Sequence, residues 1–229
     1  KPVQLHSEVK AELGGSGIVS GWGLTEAPIL TMGASTDPDQ KLALTEGQAM
    51  PGVELIAVDA EGNIVPPGQE GELRAKAPQL MLGYLDATLD SEAFDENGYF
   101  RTGDLGIIDK DGYVVISGRL KDVIIRHGEN ISAKEVEDLL FEHESVQDVA
   151  VIGLPDETTG ERACAVIAPN DQVEPLTLEL MRTYLNESGL RRNAIPEQLE
   201  IVKSIPRNPS GKITKNVLQD QYKDSDFQR

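Results

Sequence analysis

The stretch Gly118-Arg119-Leu120-Lys121-Asp122-Val123-Ile124-Ile125-Arg126-His127-Gly128-Glu129-Asn130-Ile131 divides the chain into two textures. It sets charged residues at a junction, followed by a short β-rich hairpin pattern with a glycine turn. Such a link can be a plain connector, and a polar hinge also suits a moving domain. His127 reads as a surface turn residue rather than a metal ligand, because no second His or Cys lies nearby.

Upstream of the junction, Leu5–Leu13 suits a short helix, Gly14-Gly15 breaks it, and Ile18-Val19 starts a strand. From Gly52 to Ser117 the pattern is β-rich. Val53–Val58 and Asn63–Val65 flank Asp59-Ala60-Glu61-Gly62 as one hairpin. Ile107-Ile108 and Tyr113–Ile116 flank Asp109-Lys110-Asp111-Gly112 as a second of the same design. Asn97-Gly98 is another tight-turn dipeptide. The expectation is a small, twisted, mostly antiparallel sheet or barrel.

Downstream, helix and strand alternate. Ser132 with Glu135 forms a capping box ahead of Val136, Leu139, Leu140 and His143 on one helical face. Val149–Leu154, Ala163–Ala168 and Leu199–Val202 read as three strands. Leu178, Met181 and Leu185 mark a second helix stopped by Gly189, and a last helix covers Lys215–Tyr222. This is an α+β module of about 110 residues, near the usual domain size. The boundary is placed at Gly118–Asp122.

The 229 residues carry 21 Lys and Arg against 39 Asp and Glu, a formal charge of −18. A polyanion would be repelled, which argues against a general nucleic-acid or membrane-surface binder. Within Arg182–Lys215 the sign reverses, with seven basic residues against three acidic. That island is either an anion site or a solvated face. No apolar run approaches the ~20 residues of a membrane helix. The lone Cys164 forms no internal disulfide and suits a reducing cytoplasm. Lys1 opens the chain with neither Met nor a leader, so the expectation is that the natural N-terminus lies upstream. Phe227-Gln228-Arg229 is no peroxisomal address.

Four segments hold chemistry-bearing residues, each with a bland alternative. Gly21-Trp22-Gly23-Leu24-Thr25-Glu26 combines flexible backbone, an aromatic plane, a hydroxyl suited to a phosphate oxygen and a carboxylate suited to Mg²⁺. It is otherwise a polar loop with Trp22 in the core. In Phe100-Arg101-Thr102-Gly103-Asp104-Leu105, the acceptor-only carboxylate suits a pair of ribose hydroxyls, or simply caps a turn. Gly118–Ile131 is the third segment. In Pro206-Arg207-Asn208-Pro209-Ser210-Gly211-Lys212-Ile213-Thr214-Lys215 a loop presents two lysines, either as point charges for a phosphoryl group or as plain surface.

Together, in this order, these segments resemble the adenylate-forming superfamily of acyl- and aryl-CoA synthetases, peptide-synthetase adenylation domains and firefly luciferases. Trp22–Glu26 is similar to the Tyr-Gly-x-Thr-Glu motif and Thr102–Leu105 to Thr-Gly-Asp-Leu. Gly118–Asp122 matches the hinge motif and Pro206–Lys212 the Pro-x-x-x-x-Gly-Lys motif. Gly71-Glu72-Leu73 and Gly83-Tyr84 match an intermediate segment. Asp122–Ile131 resembles the acyl-CoA synthetase branch, and Thr25-Glu26-Ala27-Pro28 looks like bacterial fatty- or cyclic-acid ligases.

The resemblance implies an α+β protein. Residues 1–118 would end the large adenylation domain, with a β-barrel-like subdomain at 52–117. Residues 119–229 would form a small mobile domain with a three-stranded sheet. It implies an AMP-forming ligase that uses ATP, Mg²⁺ and coenzyme A on a small carboxylic acid; this stretch lacks the family's upstream phosphate loop and would be inactive alone. Trp22 would pack on adenine, Thr25 would bond the α-phosphate, and Glu26 would hold Mg²⁺. Asp104, helped by Arg119, would bind the ribose. Lys121 would be the hinge, Gly128 would line the pantetheine tunnel, and Lys212 would serve adenylation. The partner is the rest of the same polypeptide, and oligomerisation stays open. The alternatives are a ligase loading a carrier protein and a non-catalytic nucleotide- or CoA-binding fragment. Two departures stand out: Trp22 replaces the usual Tyr, and His127 stands where the family often has Gly.

Overall fold

The periodicities described above become the elements of a computed structural model that describes residues 3–170 and 172–225, leaving Lys1 and Phe227-Gln228-Arg229 outside the described residues. The chain is mixed α and β and divides into two compact units, Lys1–Leu120 and Lys121–Arg229. Among the described residues no helix is long and apolar enough to cross a membrane.

In the first unit, α1 (Val3–Leu13) ends where Gly14 takes φ 74°, a left-handed conformation that costs glycine nothing. The expected strand at Ile18-Val19 does not form. The Ile18 amide donates instead to His6 Nδ1 at 3.1 Å, and pairing begins with β1 (Gly21–Trp22). β1, β2 (Thr31–Met32) and β3 (Gln48–Ala49) make a small antiparallel sheet, with α2 (Asp39–Leu44) between β2 and β3. Next comes a four-stranded meander in sequence order: β4 (Glu54–Val58), β5 (Glu70–Lys76), β6 (Phe100–Ile108) and β7 (Val114–Arg119). The short helix α3 (Asp90–Ala93) precedes β6.

The meander is an open sheet, which corrects the barrel-like expectation. Four strands are too few to curl onto one another, and each outer edge is covered locally instead. Ile64 bridges Val58 on the β4 side, while Glu46 and Gly47 exchange backbone bonds with Val114 on the β7 side. The first hairpin also needs correction. Asn63–Val65 contributes that single bridge, and the principal partner of β4 is β5. The second hairpin, β6 to β7, forms as expected.

One turn design recurs. Asp59, Asp95 and Asp109 each open a three-residue loop closed by a left-handed glycine: Gly62 (φ 88°), Gly98 (78°) and Gly112 (83°). In each, Asp Oδ1 accepts two amides, at 2.8 and 3.1 Å for Asp59, 2.9 and 3.0 Å for Asp95 and Asp109. The Asp amide in turn donates to the residue after the glycine at 2.9 Å. A short polar side chain and a glycine thus fix a hairpin without help from packing.

In the second unit, β8 (Val123–Arg126) and β9 (Glu129–Ser132) form a hairpin, and Ser132 Oγ caps α4 (Ala133–Phe141) by accepting from the Glu135 amide at 3.3 Å. β10 (Val146–Asp156) and β11 (Gly160–Pro169) are long and antiparallel. β12 (Gln198–Ile201) runs parallel to β11, and β8 joins β11 at Gly160. The sheet therefore has five strands, not three: the β-rich link after the junction is part of the sheet. β10 and β11 are apolar on both faces, as strands covered on both sides must be. Val151, Ala165 and Ile167 meet α4 and α5 (Leu178–Glu187) through Leu140, Met181 and Leu185. Ile152, Cys164 and Val166 meet Leu218 of α6 (Lys215–Tyr222) on the other.

Two consequences can be measured. Burial pushes the Cys164 thiol up to about 12, so thiolate, the reactive form, is scarce near pH 8. The native chain should resist a disulfide reagent at that pH and react fully in denaturant; rapid native labelling would contradict this burial. The two-residue turn between β8 and β9 holds exposed His127 at φ 53° and Gly128 at φ 78°. A left-handed residue with a Cβ costs about 1–2 kcal/mol, and β-branching worsens it. His127→Gly should raise stability against unfolding by up to that amount, whereas His127→Val, which adds the β-branching cost, should lower it; equal effects in denaturant titrations would show that backbone strain is not the cause.

Candidate functional site

The site in the first unit is built by a bulge. Between the pairs Glu72↔Leu105 and Arg74↔Arg101, β5 has one residue, Leu73, where β6 has three, Thr102, Gly103 and Asp104. Gly103 takes φ 68°. Thr102 Oγ1 donates to the Leu73 carbonyl at 2.6 Å and accepts the Asp104 amide at 3.1 Å, replacing the lost ladder bonds. Bulges re-aim side chains, and this one buries the Asp104 carboxylate to 4% exposure.

A buried carboxylate needs donors, and two are supplied. Trp22 Nε1 donates to Oδ2 at 2.8 Å, and Arg119 Nε pairs with Oδ1 at 2.8 Å from its register position opposite Asp104 in β7. An ionised carboxylate has about four lone-pair positions, so each oxygen can still accept one hydroxyl. Trp22 itself is 9% exposed and packs with Ala27, Leu30 and Val114, so its ring is a core element as well as a donor.

The Trp22–Leu30 loop closes on itself. The Leu30 amide donates to the Trp22 carbonyl at 2.8 Å, and Leu24 and Ala27 exchange backbone bonds at 3.0 and 3.3 Å. A Cβ on Gly23 would lie 2.4 Å from the Ile29 nitrogen, so only glycine fits there. Thr25 is exposed on this loop and Glu26 half-buried. Tyr84 Oη donates to Glu26 Oε1 at 3.2 Å, and the Met81 amide donates to the Glu26 carbonyl at 2.8 Å. Burial, aided by the Glu26 charge, raises the Tyr84 phenol above its ordinary value and keeps it a donor. Among the described residues Glu26 Oε2 makes no hydrogen bond or ion pair. Tyr84 had no assigned role in the sequence; Gly83-Tyr84 was the available signal.

The other expected residues lie in the second unit, each on its own turn. Gly128 closes the β8–β9 turn, and a Cβ built on it would meet nothing within 4 Å. Lys121 is exposed in a 3-10 turn, Leu120–Asp122. Lys212 sits in a fourth copy of the hairpin turn, with Asn208 in the Asp position and Gly211 at φ 83°. Its Nζ has no hydrogen-bond or ion-pair partner among the described residues, whereas most of the basic island is paired. Arg207 binds Asp148 at 2.7 Å, Arg191 lies 3.9 Å from Glu135, and Lys215 binds Glu137 at 2.8 Å. Burial raises the Glu137 carboxyl, and Lys215 opposes that rise. The structure thus gathers Trp22, Asp104 and Arg119 into one bonded cluster beside the Thr25–Glu26 loop.

Comparison with known proteins bears on this arrangement. A family model described as AMP-binding enzyme matches residues 2–85, and one described as AMP-binding enzyme C-terminal domain matches residues 135–212. The medium-chain fatty-acid–CoA ligase of Escherichia coli K12 is 37% identical over 203 residues, 88% of this chain and 36% of the relative. The 2,3-dihydroxybenzoate-AMP ligase of Bacillus subtilis is 39% identical over 186 residues, 80% of this chain and 34% of the relative. The crystal structure of ATP-bound MatB from Rhodopseudomonas palustris superposes with a TM-score of 0.88 at 32% identity, covering 97% of this chain and 44% of that one. The chain spans about a third of the length of these curated relatives. With both family models matched, one in each unit, this chain belongs to the adenylate-forming family of AMP-binding enzymes.

Proposed function

We propose that this chain is the C-terminal part of an AMP-forming acyl-CoA synthetase, with residues 1–118 closing the large adenylation domain and 119–229 forming a mobile small domain. The observation that carries the nucleotide half of this reading is the buried Asp104 carboxylate, held by Trp22 and Arg119 with one acceptor position free on each oxygen. That geometry suits a vicinal diol such as a ribose.

In the proposed reaction, a carboxylate oxygen attacks the α-phosphorus of ATP, the bond to the bridging oxygen breaks, and pyrophosphate leaves. The coenzyme A thiol then attacks the acyl carbon and AMP departs with the electron pair. Asp104 and Arg119 hold the ribose, Trp22 packs at the adenine, and Thr25 donates to the α-phosphate. Lys212 offsets the charge that gathers as two anions meet, a role for which a free ammonium is suited. Lys121 acts as the hinge and Gly128 leaves room for the pantetheine arm. The described residues hold no group of three or more His, Cys, Asp or Glu side chains placed to hold a metal ion. Mg²⁺ commonly takes one or two carboxylates and completes its shell with phosphate and water, so the single Glu26 carboxylate fits it. When bound, Mg²⁺ would neutralise phosphate charge.

Coenzyme A as the acceptor is supported by the Asp122–Ile131 sequence and by the fatty-acid–CoA ligase relative. The second reading, transfer to a carrier protein, draws on relatives such as the salicyl-AMP ligase / salicyl-S-ArCP synthetase of Mycobacterium tuberculosis, 39% identical over 184 residues. Thioester formation by the intact protein with coenzyme A and with a phosphopantetheinylated carrier decides between them: product on the carrier alone would overturn the first reading. In the intact protein Lys212→Ala should cut acid-dependent ATP–pyrophosphate exchange by ~100–1,000-fold while sparing thiolysis of supplied acyl-adenylate. Equal losses in both half-reactions would remove Lys212 from the adenylation step.

A further inference from the structure

Lys212 is held at both ends of its backbone by one residue. Its amide donates to Asn208 Oδ1 at 2.9 Å, and its carbonyl accepts the Asn208 amide at 2.8 Å. Asn208 Oδ1 also accepts Ser210 N–H at 3.1 Å and the Ser210 hydroxyl at 2.8 Å, and the Gly211 amide donates to the Asn208 carbonyl at 2.8 Å. Pro209 follows Asn208, where a fixed φ favours the turn. Arg207 ties this tip to the sheet: Nη1 donates to the Gly211 carbonyl at 2.8 Å and Nη2 to Asp148 Oδ2 at 2.7 Å. Asp148 stands at the irregularity in β10, where the register with β11 shifts between Val146 and Asp148.

The comparison within this chain is what gives these contacts meaning. The three other turns of this design open with Asp59, Asp95 and Asp109, and an aspartate bonds the turn amides through the same oxygen. Of the four, only the turn whose closing residue is a lysine opens with the neutral amide; the others close on Asn63, Tyr99 and Tyr113. Asparagine supplies the same acceptor geometry without a negative charge, so the turn itself places no carboxylate beside the ammonium. The nearby Arg207 charge is likewise cancelled by Asp148 rather than left to compete for an anion.

We propose that Asn208 and Arg207 are positioning residues that form a rigid, charge-neutral cradle for Lys212, so that one uncompensated positive charge is presented from a preset turn. The catalytic part of this proposal rests on the adenylation reading above; the turn itself does not. Exposed ion pairs contribute little to global stability, so losing the Arg207 clamp should alter local geometry while leaving Tm nearly unchanged.

The test uses Asn208→Asp, Asn208→Ala and Arg207→Ala in the intact protein, with wild type and Lys212→Ala beside them. Amide hydrogen exchange at Gly211 and Lys212 should stay slow in Asn208→Asp, which keeps the acceptor, and quicken in Asn208→Ala and Arg207→Ala. Acid-dependent ATP–pyrophosphate exchange should fall ~10-fold in Asn208→Asp, where only charge is added, and ~10–100-fold in the two alanine variants, the scale of small misplacements. Thiolysis of supplied acyl-adenylate should be unchanged in all three. A wild-type adenylation rate in Asn208→Asp would overturn the charge-neutral cradle, and unchanged amide exchange in both alanine variants would overturn the positioning role. If Lys212→Ala adenylates normally, the functional reading fails, and amide exchange still decides whether the turn is held as described.

Discussion

Burying a carboxylate costs several kcal/mol unless donors replace water, and Asp104 is where the first unit meets that constraint. Its position forces the local design around it. β6 must bulge to turn the residue inward, Thr102 must repair the ladder, and Arg119 must lie across the hairpin. Trp22, eighty-two residues away in sequence, must bring its indole N–H to the second oxygen. The small β1–β3 sheet and the four-stranded meander are thereby tied together through a polar contact at the edge of an apolar core. Truncating either donor leaves an under-bonded buried anion, so the binding geometry and the packing of this unit are one arrangement.

The recurrent turn shows the same economy on the surface. A side-chain oxygen at the first position and a left-handed glycine at the fourth close a hairpin whatever lies between. Three copies link the strands or approach strands of the meander; the fourth carries Lys212. Reuse of a self-sufficient local structure means the lysine is placed by its neighbours in sequence, with Arg207 adding a fixed attachment to β10. The aspartate-to-asparagine difference separates the turns that close on Asn63, Tyr99 and Tyr113 from the one that closes on Lys212.

Local chemistry was legible from the residues. The limits of α6, the Ser132 cap, the Gly189 stop and the β6–β7 hairpin follow from propensity, capping and turn rules that act over a few positions. The family motifs were equally readable, because glycines and charged residues at fixed spacing survive without any knowledge of packing. Where the reading went astray, long-range partners had decided the outcome. Ile18-Val19 has strand-like residues, yet its amide is taken by His6. Val53–Val58 adjoins an Asp-Gly turn, yet pairs mainly with Glu70–Lys76. Asp122–Ile131 reads as a hairpin and forms one, but that it joins the larger sheet is decided by the pairing of Arg126 with Gly160.

By itself, then, the sequence determined which residues carry chemistry and where backbone must turn, since those properties reside in single side chains and dipeptides. The tertiary structure decided which of them act together. That Trp22 is a donor to Asp104 as well as an aromatic plane, that Tyr84 bonds Glu26, and that Arg207 reaches both Gly211 and Asp148 depends on strand register and on a bulge. Those are set by pairing energies summed over whole sheets, which no local pattern encodes.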